Sequence, residues 1–284
     1  MKKVGNFFFS FVPFLLGTAI QYVAVFMYMI ISAVVLLGFG PILTGKEYEM
    51  KELEALWSNL DFNTLIMIVF SVSCAAIFGL WYYKSCGGDF IIKPKKEFTS
   101  LQVAGLIILV PAAQFFTSFL VGIISSIFPK WLEDYENLME TAGMGDDISL
   151  LMLLYSVCLA PISEELIFRG VTLRIARRTF PFWVANVIQA VLFGVFHGNM
   201  LQGCYAFALG MILGYICEHG GTIYHAILFH FMFNFWGTMV SPQLAKLNPA
   251  FAGMLILAGL FIGMPVGILL FNKGTSQKNR LQAI

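Results

Sequence analysis

The chain has 284 residues, 59% hydrophobic and 15% aromatic, with only 12% charged, against about 25% charged in an ordinary soluble domain. Long apolar runs between short polar stretches exclude a water-soluble fold, and a net charge of +1 gives no basic footprint for nucleic acid. The expectation is a single all-α integral membrane domain over 1–284, without a separate soluble part.

A spanning helix needs roughly 20 mainly apolar residues, because every backbone amide in hydrocarbon must be satisfied within its own segment. About eight stretches qualify: 7–39, 62–83, 101–128, 149–170, 182–197, 201–217, 222–240 and 249–271. The first follows Lys2 and Lys3; it is too long for a signal h-region and is read as a retained span, either kinked at Pro13 or starting along the surface. Segments 44–61 and 129–148 are acidic, with Glu47, Glu52, Glu133, Asp134, Asp146 and Asp147. Both also carry helical periodicity, through Leu53, Leu56, Trp57 and Leu60 in one and Trp131, Tyr135, Leu138 and Met139 in the other. They read either as interfacial helices or as polar loops with aromatic anchors.

Lys and Arg in the short loops alternate in side along the chain. Lys2 and Lys3, then Lys84, Lys93, Lys95 and Lys96, then Arg174, Arg177 and Arg178, and finally Lys273, Lys278 and Arg280 fall on one face, which the positive-inside rule makes cytoplasmic. Both termini then face inward. The Lys93-Pro-Lys-Lys96 linker suits contact with anionic membrane lipid. The five cysteines, Cys74, Cys86, Cys158, Cys204 and Cys217, form no C-x-x-C pair, so neither a disulfide framework nor a zinc ribbon is expected.

Glu164, Glu165 and Arg169 stand out because nearly every other charged residue lies in a loop, a terminus or the last turn of a span. A charge near the bilayer centre costs at least about 2.5–3.5 kcal/mol, so it persists only when paired or lining a polar cavity. Glu165 and Arg169 are i and i+4, on one helix face in the favourable acid-before-base order. Glu164 is rotated by about 100° and must find partners on other helices. Of four histidines, His197 and His230 lie inside apolar runs, and Asn234 follows His230 on the same face. Counted from the Arg178–Pro181 tip, Glu164 and His197 lie roughly 21 and 24 Å deep, provided that the helix continues past Gly170. Counted from Thr222, His230 and Asn234 lie roughly 12 and 18 Å in. His219, in a turn, and His225, on another face, are left to interfacial anchoring.

These groups suit attack of water on an amide. Glu164 can act as general base, a histidine can share that role or protonate the leaving amine, and Asn234 or a histidine N–H can donate to an oxyanion. No G-x-S-x-G is present and the spans hold no Asp to orient a histidine, so a serine triad finds no support. Cys158 reads as ordinary burial. Glu164, His197 and His230 also make a candidate two-His, one-carboxylate zinc site, although H-E-x-x-H is absent and Asn is a poor zinc ligand. A proton-coupled transporter would bury similar groups, but usually in both of two repeats, whereas here they cluster in one half. A non-catalytic membrane adaptor is the remaining reading.

Glu164-Glu165-Leu-Ile-Phe-Arg169, Phe193-Gly-Val-Phe-His197 and His230-Phe-Met-Phe-Asn234 resemble the E-E-x-x-x-R, F-x-x-x-H and H-x-x-x-N/D motifs of the CAAX-protease and bacteriocin-processing (CPBP, or Abi) family. The resemblance covers about 150–236 and places the catalytic core within 149–240. It implies an eight-helix intramembrane endopeptidase with a carboxylate-activated water and no obligatory cofactor. Glu164 would be the base, His197, His230 and Asn234 its partners, and Glu165 with Arg169 would shape the site. The implied partners are membrane lipid and a membrane-associated peptide or protein substrate: a prenylated CAAX chain, a bacteriocin or pheromone leader, or a membrane-protein tail. A bacterial cytoplasmic membrane is the implied location, with the endoplasmic reticulum as the alternative.

Overall fold

A computed structural model describes residues 2–85, 98–145, 148–244 and 246–282. The Lys93–Lys96 linker, Cys86, Asp146 and Asp147 lie outside the described residues. Among the described residues every regular element is helical, as hydrocarbon demands of backbone that must satisfy its own amides.

In chain order the helices are α1 (Val4–Thr44), α2 (Met50–Trp57), α3 (Leu60–Ser85), α4 (Ser100–Ile127) and α5 (Pro129–Thr141). Next come α6 (Leu150–Arg177), α7 (Phe182–Phe196), α8 (Met200–Gly220), α9 (Ile223–Phe235) and α10 (Pro249–Lys278). The protein is an all-α polytopic membrane protein. Six of these helices, α1, α3, α4, α6, α8 and α10, are long and apolar enough to cross a bilayer. The expected count of eight is therefore not reached by that measure. The fifth stretch forms a helix of only 15 residues, and the seventh is diluted by His225, His230 and Asn234.

Polar side chains mark the helix starts. Thr99 accepts from the Gln102 amide at 3.2 Å, Ser149 from Met152 at 3.1 Å and Asn199 from Gln202 at 3.0 Å. Each satisfies an amide that the first turn leaves without a partner. In α1 the chain breaks at Ser10 and Phe11 and restarts at Val12. Pro13 lacks an N–H to continue a helix but suits the first turn of a new one.

The two acidic segments left open as loops or helices contain helices. α2 is tied to α1, the Trp57 indole donating to Ser32 Oγ at 2.9 Å and the Tyr28 hydroxyl to the Leu56 carbonyl at 3.2 Å. Its Glu52 carboxylate accepts the Glu49 amide at 2.9 Å, which holds it below the usual carboxylate range. α5 meets α8 where the Tyr135 and Tyr205 hydroxyls lie 3.3 Å apart.

α6 runs through the middle of the bundle, and every residue from Leu166 to Thr172 is buried. It does not end at Gly170 but continues through a π-helical turn, Leu166–Thr172, to Arg177. An earlier π-helical turn, the first of the two in chain order, covers Tyr155–Leu159, so the glutamate pair is bracketed by two local insertions. Thr172 Oγ1 donates to the Ile167 carbonyl at 2.8 Å, occupying an acceptor in the second π turn.

Small residues let the surrounding helices close on one another, as in membrane bundles generally. A methyl group on Gly194 of α7 would stand 2.6 Å from the Gly203 carbonyl oxygen of α8. One on Gly105 of α4 would stand 2.6 Å from the Phe271 amide nitrogen of α10. A methyl group on Gly122, by contrast, meets nothing within 4 Å.

Gly194→Ala must push α7 from α8 against backbone, a strain of about 1–3 kcal/mol. It is expected to lower the unfolding temperature in detergent by several degrees, while Gly122→Ala leaves it unchanged or slightly raised. Thermal unfolding of the two purified variants checks this, and equal temperatures would refute the close-approach account.

Candidate active site

Four of the side chains singled out from the sequence meet directly between α6 and α9. Glu165 and Arg169 are both fully buried, and Arg169 Nη1 donates to Glu165 Oε1 at 2.8 Å. The same oxygen lies 2.8 Å from His230 Nδ1. One carboxylate oxygen thus holds a guanidinium from its own helix and an imidazole from another, both as short charge-assisted contacts. On its far side His230 Nε2 lies 3.8 Å from Glu164 Oε2, too long for a hydrogen bond but within strong electrostatic range. His230 therefore touches both glutamates, where the sequence separated them onto different faces with different partners.

Hydrogen-bond chemistry fixes the ring orientations. A carboxylate accepts, so in His230 the Nδ1 carries the proton and Nε2 is left toward Glu164. In His197, Nδ1 lies 2.8 Å from the Phe193 carbonyl oxygen, which also only accepts. Its Nε2 is again the uncommitted nitrogen. His197 closes the C-terminal end of α7 and lies within electrostatic reach of Glu164. The Phe193 ring stands perpendicular to both imidazoles, with centroids 4.8 Å from His197 and 5.9 Å from His230.

Asn234 lies one turn beyond His230, and its amide is directed elsewhere. Nδ2 donates to the Ser156 carbonyl at 2.8 Å, inside the first π turn of α6. The expected convergence of His230 and Asn234 on one point takes a different form: His230 meets the glutamates, and Asn234 holds the backbone that precedes them.

The two glutamates differ in access. The Glu165 side chain is 0% exposed, whereas that of Glu164 is 15% exposed. This difference in access accompanies a difference in partners, since only Glu165 is bonded to both Arg169 and His230.

Uncharged polar residues that sequence reasoning passed over complete the scaffold. Arg169 Nη2 donates to the Gly210 carbonyl at 3.3 Å, and the guanidinium lies 4.4 Å over the Phe193 ring. Gln189 Nε2 donates to the same carbonyl at 2.9 Å and to Asn186 Oδ1 at 2.7 Å, while Asn186 Nδ2 reaches the Met211 carbonyl at 3.0 Å. Gln114 of α4 donates to the Phe233 carbonyl of α9 at 2.6 Å. Their signal was present as amides within apolar spans, where an unpaired amide is costly, but their partners are mainly backbone carbonyls that carry no sequence signature.

His225 is fully buried rather than interfacial, its ring centroid 4.3 Å from that of Phe98 and 5.6 Å from that of Phe271. His219 lies in the last turn of α8 and stacks on Tyr215. Among the described residues no group of three or more His, Cys, Asp or Glu side chains is arranged to hold a metal ion, and the four described cysteines are free thiols.

A bundle of apolar helices enclosing paired carboxylates, an arginine and two histidines defines a membrane protein with a polar, chemically competent centre. Residues 146–236, about a third of the chain, match the family described as Rce1-like, type II CAAX prenyl endopeptidase. The stretch includes Glu164, Glu165, Arg169, His197, His230 and Asn234. The chain thus carries an Rce1-like domain, consistent with the CPBP intramembrane proteases, and the match supports intramembrane endopeptidase activity of the CAAX type in general terms. Comparison with curated proteins and with solved structures gives no match.

Removing one member of a buried ion pair strands the other, at a cost of about 3–5 kcal/mol. Arg169→Leu is therefore expected to destabilise the protein strongly, and Arg169→Leu combined with Glu165→Gln to recover part of the loss. Denaturant unfolding in detergent reads both, and a double variant no more stable than Arg169→Leu would refute the pairing as the source of the cost.

Proposed function

We propose that the protein is an intramembrane endopeptidase in which Glu164 activates water to hydrolyse a peptide bond of a membrane-associated or lipidated peptide or protein. The observation that carries the assignment is the contrast between the glutamates: Glu165 is sealed and spent on Arg169 and His230, while Glu164 is partly accessible and faces the free nitrogen of His230.

In this reading Glu164 takes a proton from water as the oxygen attacks the carbonyl carbon, and the C–N bond then breaks with that proton delivered to the leaving amine. The products are an amine and a carboxylic acid, which ionises by releasing the second proton of the water, with no redox change. His197 and His230, each presenting Nε2, pass protons at the same centre, and once protonated either can donate to the oxyanion. Asn234 keeps one amide hydrogen for the same purpose after its bond to Ser156. Glu165 acts as an orienting carboxylate for His230, the role a third group plays when it fixes the tautomer of a catalytic base.

No metal is required by this scheme. Orienting His230 Nδ1 on Glu165 and His197 Nδ1 on the Phe193 carbonyl would equally suit two zinc-ligating histidines beside Glu164, and the chelator measurement below separates the two mechanisms. The distribution of Lys and Arg supports an orientation with both termini cytoplasmic, and the match to Rce1-like endopeptidases supports a prenylated CAAX chain as the first substrate to try.

Reconstituted protein supplied with a fluorogenic farnesylated CAAX peptide tests the proposal. Glu164→Gln is expected to lower cleavage by at least about 100-fold without lowering the unfolding temperature, and His230→Ala to lose activity as well. A tight chelator is expected to leave the rate unchanged. Undiminished cleavage by Glu164→Gln would overturn the assignment, and chelator loss restored by zinc would favour the metal mechanism.

A further inference from the structure

Tyr155 opens the first π turn of α6, nine residues before Glu164. In an unbroken α-helix residues nine apart lie about 180° apart around the axis, on opposite faces. The π turn Tyr155–Leu159 absorbs one residue, so nine behave as eight and the separation falls to about 80°. The insertion thus turns Tyr155 toward the side that carries Glu164.

The contacts agree with this rotation. Tyr155 faces Ser71 of α3 and lies within electrostatic reach of Glu164. Ser71 Oγ lies 3.3 Å from Ser163 Oγ, and Ser163 donates to the Ala160 carbonyl at 2.9 Å. Ser71 and Ser163 are each 1% exposed. Ser163 Oγ stands between two acceptors for its one proton, Ser71 Oγ and the Ala160 carbonyl, so Tyr155, Ser71 and Ser163 form one cluster of hydroxyls against α6. Ser163 immediately precedes Glu164. The backbone beside Tyr155 is held from α9, through Asn234 and the Ser156 carbonyl. No motif marks Tyr155, Ser71 or Ser163.

We infer that Tyr155 is a positioning residue for Glu164, acting through the Ser71 and Ser163 hydroxyls, so that α3 as well as α9 sets where the carboxylate stands. The inference rests on Glu164 being the base. Its role is orientation: the Tyr155 hydroxyl fixes the π turn and the serine pair, and these hold the peptide unit that carries Glu164 at the distance from His230 that water attack needs.

Tyr155→Phe removes only the hydroxyl and keeps the ring, and Ser71→Ala removes the next link. Each is expected to lower kcat on the prenylated peptide by about 10–100-fold, the scale on which misplacement of a reacting group acts, with KM unchanged and the pH–rate profile displaced from that of the wild type. The double variant is expected to be no slower than the slower single, because both act through one cluster. Glu164→Gln is measured in parallel. If Glu164→Gln is inactive while Tyr155→Phe keeps the wild-type kcat, the inference is overturned and the base assignment stands; if Glu164→Gln is active, both fall. Losses that multiply in the double variant would overturn the shared cluster. Should Tyr155→Phe lower the unfolding temperature, Ser71→Ala carries the test, and a rise in KM without a fall in kcat would also refute positioning.

Discussion

A carboxylate with no solvent access inside an apolar bundle must be answered by donors, and the structure is arranged to answer the one on Glu165. Arg169 supplies charge from one turn along the same helix, and His230 supplies an N–H from α9. Because both donors converge on a single oxygen, α9 has little freedom to slide or rotate against α6. The height of His230, the direction of its second nitrogen and hence its relation to Glu164 all follow from this contact. Its cost if broken is high because low dielectric strengthens a made contact and penalises a lost one alike.

The arginine in turn needs more than the glutamate. Its guanidinium packs on Phe193 and reaches the Gly210 carbonyl, which Gln189 also meets. That carbonyl is reachable because α7 and α8 approach at glycines, Gly194 against Gly203 and Gly210 against Ala190. Small residues and buried amides are therefore parts of one solution. The glycines bring backbones together without side chains, and the amides occupy the polar atoms that such close packing would strand.

Two π turns do for α6 what small residues do for its neighbours. Each inserts a residue and re-aims the side chains on one side of it relative to those on the other, while Glu164 and Glu165, in the α-helical stretch between them, differ by the ordinary rotation of about 100° per residue. The backbone there is held by side chains, Asn234 on Ser156 and Thr172 on Ile167, in keeping with the frequent occurrence of such turns at functional sites. Glu165 is closed in and structural, while Glu164 retains access. This difference in access is the physical basis on which the proposed hydrolysis is assigned to one of two chemically identical residues.

The spans were legible in the sequence because lipid imposes long apolar runs whatever the tertiary fold, and the site because charged residues inside such runs are rare enough to be noticed singly. The i, i+4 pairing of Glu165 with Arg169 was legible too, since it depends only on helix geometry. What the sequence could not determine depends on how one helix stands against another. The link from His230 to Glu165 requires the register of α6 against α9, and no intrahelical spacing encodes it. The π turns depend on which carbonyls find side-chain donors from elsewhere, so a regular helix was the natural expectation. Asn186, Gln189 and Gln114 bond largely to backbone, which is anonymous in sequence. Composition and periodicity settled that this protein places charge inside a membrane; only interhelical packing decided which charge is buried for structure and which is left open, because desolvation is a property of neighbours and not of the residue itself.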